Sequence, residues 1–147
     1  MHKCHTASPT RHSFARSVMH MSLDSTDTRR RLGAAGEQLA AEHLERRGFT
    51  ILERNFRTRW GELDIVAFDG TTLVFCEVKS RRECGAGVDA LASMHNRKRS
   101  QVRKLAGRWL VERAQRPRAC ELRFDAIGVT FDRLGRFVAL EHLEGAF

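Results

Sequence analysis

The stretch "WGELDIVAFDGTTLVFCEVKSR" (residues 60–81) decides the fold, because two apolar runs flank the dipeptide Asp69-Gly70. An Asp-Gly pair between apolar runs is a strong short-range signal of a β-hairpin. We therefore predict strands over 62–68 and 72–79, joined by a two-residue turn. Both faces of these strands are largely apolar near the turn, which is typical of central strands covered by other elements.

Three charged residues interrupt the apolar strands: Asp64, Glu77 and Lys79. A charge in a buried strand is costly unless it is paired or bound to a metal, so these residues form either a satisfied structural network or a functional site. With a two-residue turn, Asp64 lies opposite Phe75 and diagonal to Glu77, with the backbones about 7–8 Å apart. All three charged side chains then project from one face of the sheet. A three-residue loop would send Asp64 to the other face.

Two carboxylates and a lysine on one face suit a hard divalent cation. Mg²⁺ prefers oxygen ligands and is often held by one or two carboxylates together with a substrate phosphate. The metal would acidify a bound water and neutralise charge on a phosphoryl oxygen. Lys79 would hold that water or stabilise the developing charge. The alternative is an ion pair of Lys79 with Glu77 or Asp64 that has no chemical role.

Hydrophobic periodicity and turn residues place further elements on both sides of the hairpin. The predicted elements are a helix over 29–47, a strand over 49–56, an amphipathic helix over 97–115 that ends before Pro117, and strands over 121–131 and 136–143. The stripes at helical spacing on the two helices are predicted to pass through Leu32, Ala35, Leu39 and His43, and through Val102, Leu105, Ala106, Trp109 and Arg113. The order α-β-β-β-α-β-β predicts an α/β fold with a mixed central sheet flanked by helices.

The length of 147 residues fits one domain. Residues 1–28 differ from the rest, because they are rich in Ser, Thr, His and Arg and lack periodicity. We interpret them as a disordered tail or a misassigned start, with Met19 or Met21 as the true first residue. A transit peptide is the alternative. The folded domain is predicted over 29–147.

Cysteine usage and hydropathy favour a cytoplasmic protein. The cysteines Cys4, Cys76, Cys84 and Cys120 show no spacing typical of a zinc site or a disulfide framework, which favours a reducing compartment. Cys76 lies in a predicted central strand and is interpreted as a core residue. No apolar run reaches about 18 residues, so we expect no membrane-spanning helix and no membrane partner.

The net charge of +8 is concentrated in one segment. Between residues 97 and 118 there is one acidic residue, Glu112, and there are nine basic residues: Arg97, Lys98, Arg99, Arg103, Lys104, Arg108, Arg113, Arg116 and Arg118. A basic face of this kind is what a polyanion such as nucleic acid requires. The alternative is a solvated helix face that serves only solubility.

Several segments, taken together and in this order, resemble one known family. They are "GAAGEQLAAEHLERRGFTILERNFR" (33–57), "GELD" (61–64), "FCEVKSR" (75–81), "RKRSQVRKLA" (97–106), "RFD" (123–125) and "EHLEGAF" (141–147). The chain resembles the UPF0102 (YraN) family, which is similar to archaeal Holliday junction resolvases within the PD-(D/E)xK nuclease superfamily. The resemblance runs over residues 31–147 and implies a restriction-endonuclease-like fold, in agreement with the predicted element order.

The same resemblance implies catalytic and metal-binding roles. Asp64, Glu77 and Lys79 match the acidic and lysine positions of the superfamily's catalytic site, and Glu37 matches a catalytic glutamate that resolvase-like members contribute from their first helix. Asp64, Glu77 and Glu37 would bind Mg²⁺ or Mn²⁺. The chain departs from the superfamily pattern at Leu63, where proline is usual. The alternative for Glu37 is a structural role on the helix flank or in an ion pair with an arginine.

Nucleic-acid contacts are expected from the second helix and from segments next to the catalytic residues. The candidates are Lys98, Arg99, Arg103, Arg81 and Trp60. Trp60 precedes the site in a loop and could stack on a base, whereas Trp109 lies on an apolar helix stripe and is interpreted as core. Asp125 and His142 are interpreted as structural or supporting residues.

The sequence therefore predicts a metal-dependent, endonuclease-like protein that hydrolyses phosphodiester bonds in DNA, with branched or structured DNA as the substrate. One alternative is a nucleic-acid-binding module that keeps the fold without cleaving. Another is an interaction factor whose basic helix binds an acidic protein. The set Asp64, Glu77 and Lys79 favours the enzyme, because a pure binder needs no carboxylates directed at phosphate. A homodimer is left open, since resolvases act as symmetric dimers but the sequence carries no dimer signature.

Overall fold

The computed structural model describes residues 25–83 and 96–147. The elements in these ranges are α1 Ser25–Arg46, β1 Thr50–Thr58, β2 Gly61–Phe68, β3 Thr72–Arg82, α2 Asn96–Glu112, β4 Glu121–Phe131 and β5 Phe137–Leu143. Their order confirms the predicted α-β-β-β-α-β-β. α1 begins at Ser25 instead of at 29. The interpretation of residues 1–24 as a tail or misassigned start lies outside the described residues, as do Cys4 and Cys84.

The five strands form one mixed sheet in the order β1-β2-β3-β4-β5. The pairs β1–β2, β2–β3 and β4–β5 are antiparallel, whereas β3 and β4 are parallel. A parallel pair needs a crossover connection, and α2 lies in the connection between β3 and β4. The predicted α/β class with a mixed central sheet is therefore confirmed.

Each helix covers one face of the sheet with its own hydrophobic core. On the α2 side, Val102, Leu105 and Trp109 are buried, as their predicted stripe requires. The ring of Trp109 packs edge-on against Phe75 at 5.7 Å between centroids, so its interpretation as a core residue is confirmed. On the α1 side, Cys76 is fully buried in the other core, also as predicted.

The predicted stripe of α1 is partly wrong. Ala40, Ala41 and Leu44 form the buried face of this helix, whereas Ala35 is exposed. The reason is Gly36, at which an added Cβ would overlap Ser80 Oγ on β3. Because glycine lets α1 approach the sheet at this point, the helix turns the face containing residues 36, 40 and 44 inward.

The predicted register of the β2–β3 hairpin is wrong by two residues. Phe68 pairs with Leu73, so four residues separate the last paired residues of the hairpin instead of two. The carboxylate of Asp69 explains the longer loop, because its Oδ1 accepts the backbone N–H groups of Thr71 at 2.9 Å and Thr72 at 2.7 Å. Side-chain acceptors of this type fold Asx turns. A shift of two residues is even, so it does not exchange the two faces of a regular strand.

The second helix is shorter than predicted. α2 ends at Glu112 instead of at 115, before Pro117 is reached. The guanidinium of Arg116 folds back and donates to the carbonyl oxygens of Leu110 at 2.8 Å and Arg113 at 3.1 Å, which satisfies acceptors at the helix end. In the ranges that the structure describes, neither helix combines the length and apolarity of a bilayer-crossing segment.

Candidate functional site

Asp64 and Glu77 meet where the ladder between β2 and β3 ends. The last ladder pair is Ile65 with Cys76, so Asp64 and Glu77 are the next residues across the two strands. In place of a ladder bond, the backbone N–H of Val78 donates to Asp64 Oδ2 at 2.7 Å. The carboxylate of Asp64 is thereby fixed to the backbone of β3 beside Glu77.

A break in strand alternation accompanies Asp64. Leu63 packs in the core beneath α2, whereas Ile65 packs in the core beneath α1, although residues two apart on a regular strand share a face. Across from Asp64 in the β1–β2 register lies Asn55, which has φ of 55°. Asparagine adopts this left-handed conformation more readily than most residues. Sequence reasoning missed Asn55. The signal that could have found it is an asparagine inside a predicted strand, because asparagine is depleted in strands.

Burial and neighbouring charge set the protonation of Asp64. Burial, followed by the charges of Glu77 and Glu37, raises the pKa of Asp64 to about 7, against the opposing effects of the Val78 N–H and the Lys98 ammonium. An acid beside a second buried acid disfavours the state in which both are ionised. The pair therefore favours a nearby positive charge, which would stabilise both carboxylates.

Glu77 is buried, with one oxygen paired and the other unpaired. Its Oε1 lies 2.6 Å from Lys98 Nζ on α2, while Oε2 is buried and has no hydrogen-bond partner among the described residues. Burial raises the pKa of Glu77, and the hydrogen bond and charge of Lys98 oppose that shift. Sequence reasoning missed this pairing of Lys98, which it assigned to the nucleic-acid backbone.

Lys79 lies on β3 two residues beyond Glu77, and its side chain is exposed. Its charge lowers the pKa of Glu77, although less than Lys98 does. The structure thus brings the exposed Lys79 near Glu77. The alternative of a direct ion pair with Asp64 or Glu77 is not seen in the described structure, in which Glu77 pairs with Lys98.

Glu37 reaches the edge of the site from α1. The side chain is half-buried, and its charge is close enough to raise the pKa of Asp64. Gly36 makes this approach feasible, since a larger residue there would collide with Ser80. Sequence reasoning did not single out Gly36, because a glycine inside a helix gives no local sign of what it packs against.

The fit of a metal ion rests on Asp64 and Glu77. Within residues 25–83 and 96–147, no three His, Cys, Asp or Glu side chains are placed to share a metal ion. The pair nevertheless has the chemistry that Mg²⁺ or Mn²⁺ prefers, because carboxylate oxygens are their usual protein ligands. A cation would also satisfy Glu77 Oε2, which otherwise remains buried and unpaired. Glu37 flanks this pair and does not complete a three-carboxylate site.

Buried polar atoms without a hydrogen-bond partner lie in the second half of β3. In the part of the chain that the structure describes, the buried side-chain nitrogen and oxygen atoms without a hydrogen-bond partner are Glu77 Oε2, Ser80 Oγ and Arg81 Nε. Such atoms are rare in folded proteins and require an explanation, such as an ion, a ligand or water. Arg81, a predicted nucleic-acid contact, is therefore placed at the same strand end as the carboxylates.

The basic helix divides into residues with different tasks. Lys98 pairs with Glu77, and Arg99 is exposed. Arg103 donates to the carbonyl oxygen of Phe147 at 2.8 Å and lies over the ring of Phe124 at 4.8 Å. Of the three predicted contacts on α2, the structure brings Lys98 to the carboxylate pair, while Arg103 is occupied in holding the C-terminal residue.

Trp60 and Asp125 lie outside the carboxylate pair. The side chain of Trp60 is half-exposed beside α2. Asp125 is fully buried and accepts hydrogen bonds from Arg123, from the backbone of Gly145 and from Nε2 of His142. His142 is therefore a residue with satisfied hydrogen bonds, and Asp125 has the structural role that the sequence suggested.

Comparison with known proteins gives one consistent family. The model of the uncharacterised protein family UPF0102 matches residues 36–129, which contain Glu37, Asp64, Glu77 and Lys79. A UPF0102 protein of Pelotomaculum thermopropionicum is 47% identical over 121 residues, which is 82% of this chain and 98% of that protein. One from a Parafrankia species is 49% identical over 119 residues (80% and 96%). One from Geobacter metallireducens is 47% identical over 116 residues (79% and 91%).

Proposed function

This chain belongs to the UPF0102 family, and we propose that it is a metal-dependent endonuclease that hydrolyses phosphodiester bonds in branched or otherwise structured DNA. The observation that carries the proposal is the buried pair of Asp64 and Glu77, with one Glu77 oxygen unpaired. A protein gains no stability from burying two adjacent acids. The arrangement is understandable if the pair binds a cation during function.

The residues of the chain have distinct tasks in this proposal. Asp64 and Glu77 would hold Mg²⁺ or Mn²⁺, which when bound supplies charge neutralisation at a phosphoryl oxygen and a more acidic water. The Val78 N–H holds Asp64 Oδ2 in place, so its carboxylate needs no reorientation. The exposed ammonium of Lys79 would stabilise negative charge that develops on the phosphate. Glu37 would act from the flank as a proton acceptor or an outer ligand.

The basic composition supports an anionic substrate. The chain carries a net charge of +8, and nine of its basic residues lie between residues 97 and 118. Contacts from such a face to phosphates orient a nucleic acid without reading its sequence. The protein would then select its DNA by shape and not by sequence, and this is our reason for proposing branched DNA. Cutting two strands would require two sites, which a symmetric dimer would supply.

The test is cleavage of labelled single-stranded, duplex, flap and four-way DNA with Mg²⁺, Mn²⁺ or EDTA. Wild-type protein should cleave at least one substrate only with metal, and Asp64→Asn and Glu77→Gln should each lose at least about a hundredfold in rate. Glu42→Gln is the matched control, since Glu42 lies on α1 and pairs with Arg46 at the surface. Equal cleavage by the wild type and both site variants would refute the proposal.

A second candidate function is nucleic-acid binding without cleavage. The observation that favours it is the Lys98–Glu77 ion pair at 2.6 Å, which already supplies a positive charge to one carboxylate. Calorimetric titration with Mn²⁺ separates the candidates. A nuclease should bind Mn²⁺ and lose that binding in Asp64→Asn, whereas a binder should bind DNA in EDTA and show no site-dependent Mn²⁺ uptake.

A further inference from the structure

Trp60 is an exposed aromatic residue whose backbone is held in place on both sides. Its side chain is 52% exposed. Its N–H donates to Thr58 Oγ1 at 3.1 Å, and its carbonyl oxygen accepts from Gln101 Nε2 at 2.8 Å. Gly61 leaves the room that the Gln101 amide needs, because an added Cβ at Gly61 would collide with Gln101 Nε2. The indole is thus presented to solvent from a fixed backbone.

Arginines surround the indole. The guanidinium carbon of Arg59 lies 4.2 Å from the ring centroid, and that of Arg108 lies 5.7 Å from it. Arg108 is also bonded to Glu112 at 2.7 Å. Guanidinium groups attract the faces of aromatic rings, and they also bind phosphate. A planar ligand that carries phosphate would satisfy both kinds of group at once.

A groove opens beside Trp60 along α2. Its volume is about 390 Å³, and it is lined by Trp60, Lys104, Leu105, Gly107, Arg108 and Val111. Nothing lies within 4 Å of a Cβ placed on Gly107, so the middle of the groove is open. Val111 is 74% exposed at its end. The groove therefore combines an apolar floor with a cationic rim.

We propose that Trp60 and this groove bind an unpaired nucleobase of a single-stranded segment, with Arg59, Lys104 and Arg108 on its phosphates. The inference rests on the proposed function and adds the substrate class, namely nucleic acid with unpaired nucleotides. Stacking of a base on an aromatic ring does not depend on the nucleotide sequence. The cationic rim favours a nucleic acid over an apolar peptide segment, which has no charge to pair with these three side chains.

The groove and the carboxylate pair are connected through α2. Lys98 contacts Glu77, Gln101 contacts the Trp60 carbonyl, and Arg108 contacts the Trp60 ring. With a rise of 1.5 Å per residue, the positions of Lys98 and Arg108 are about 15 Å apart along the helix axis. A single strand along α2 would then place a stacked base at Trp60 a few nucleotides from the phosphate at Asp64 and Glu77.

The experiment measures binding without cleavage, in EDTA, with fluorescently labelled oligo-dT, a blunt duplex and the same duplex with a single-stranded flap. Trp60→Ala should weaken binding of oligo-dT and of the flap by on the order of tenfold, and should change blunt-duplex binding less than twofold. Phe137→Ala is the matched control, because Phe137 is also 52% exposed but lies on β5. It should leave all three affinities unchanged.

Tryptophan fluorescence gives a second readout. The chain has two tryptophans, and Trp109 is only 2% exposed, so quenching by oligo-dT should come from Trp60 and disappear in Trp60→Phe. Unchanged affinity in Trp60→Ala, equal losses for duplex and single strand, or no quenching would each overturn the inference. Concentration-dependent dimerisation that is lost in Trp60→Ala, without an effect on oligo-dT, would assign the groove to a second copy of the chain instead.

The outcome is separable from that of the nuclease proposal. Quenching by oligo-dT together with no metal-dependent cleavage would support the base site and remove the nuclease. Metal-dependent cleavage that needs Glu77, with no effect of Trp60→Ala on any substrate, would support the nuclease and remove the base site.

Discussion

Asp125 on β4 and Asp64 on β2 are carboxylates withdrawn from water in the same sheet, yet their electrostatic states are opposite. Burial alone would raise the pKa of Asp125, but hydrogen bonds from His142, Arg123 and the Gly145 N–H lower it overall. Burial and the neighbouring charge of Glu77 together raise the pKa of Asp64 to about 7. Burial therefore does not decide the state of an acid; its partners do.

The surroundings of Asp125 are complete. Arg123 donates to it through Nε and Nη2, each at 2.9 Å, and His142 Nε2 lies 2.8 Å away. Arg47 Nη1 lies 3.0 Å from His142 Nδ1. Since arginine is only a donor, Nδ1 accepts and the proton on Nε2 is directed at Asp125. This network joins the residue after α1 to β4, β5 and the C-terminal segment, and it stabilises the fold.

Under the proposed function, the comparison distinguishes an acid that stabilises the fold from an acid that binds a cation. Asp125 loses its partners only if the fold opens, so its charge contributes to stability. Asp64 and Glu77 lack enough positive partners, so their charge costs stability until something binds. Proteins accept such costs mainly at functional sites.

The largest expected effect comes from removing the charge of Asp125. Asp125→Asn leaves Arg123 without its buried partner and should lower the free energy of unfolding by about 3 kcal/mol. Urea denaturation followed by circular dichroism measures this. Asp64→Asn is the matched variant and should change stability by less than about 1 kcal/mol or increase it, because asparagine can still accept the Val78 N–H. Equal losses in the two variants would contradict the distinction between the acids.

The pH dependence of the free energy of unfolding should reflect both the raised pKa of Asp64 and the lowered pKa of Asp125. The folded-state pKa of Asp64, about 7, lies above its unfolded value of about 3.9, so the metal-free folded protein binds more protons than the unfolded chain between these pH values. The free energy of unfolding should therefore fall as pH rises through this window, by at most about 1.4 kcal/mol per pH unit from this residue. Denaturation in EDTA at pH 5, 6 and 7 measures the slope.

Two variants show which acid causes each part of the pH dependence of stability. Asp64→Asn should flatten the fall between pH 5 and 7. The lowered pKa of Asp125 has the opposite sign: its stabilisation is present above the unfolded pKa and is lost as pH falls through the folded one, so Asp125→Asn should flatten only the acid limb. A wild-type curve that rises between pH 5 and 7 and is unchanged by Asp64→Asn would contradict the raised pKa.

A third comparison uses two glycines of α1. Gly36→Ala should destabilise the protein by about 1–3 kcal/mol, because the new methyl group overlaps Ser80 Oγ and overpacking forces the helix or the strand to move. Gly33→Ala should instead stabilise it by up to about 1 kcal/mol, since nothing lies within 4 Å of a Cβ there and alanine favours the helix. Thermal denaturation measures both, and a stable Gly36→Ala protein would show that α1 is not held by this contact.

The elements were predictable because they depend on local pattern. The two apolar runs around Asp69 gave the central hairpin, and β4 was predicted at its observed bounds, Glu121–Phe131. The register was wrong because the residues of the turn do not reveal whether the side chain of Asp69 will close a loop of two residues or of four. Asp64 and Glu77 still meet, because in the observed register they are the next residues after the last ladder pair, Ile65 with Cys76.

What the sequence did not predict depends on contacts between distant elements. Lys98 is one of many basic residues on α2, and only the packing of α2 on the sheet places it on Glu77. Likewise, Gly36 is significant only because α1 crosses Ser80 of β3. Asn55 in its left-handed conformation faces the strand position of Asp64 only through the β1–β2 register. These are tertiary effects that no local periodicity contains.

The smallest effects should distinguish Lys98 from Arg99, which are adjacent on α2 and carry equal charge. Lys98 contacts Glu77 Oε1, so Lys98→Ala frees that oxygen and should tighten Mn²⁺ binding a few-fold in calorimetry at pH 8, which corresponds to a net hydrogen-bond contribution of about 1 kcal/mol. Arg99 is exposed, so Arg99→Ala should leave Mn²⁺ binding unchanged. If Arg99 contacts a phosphate, its loss should lower the slope of log K against log salt for DNA by about one. Identical behaviour of the two variants in both titrations would mean that the ion pair with Glu77 does not give Lys98 a role different from that of Arg99.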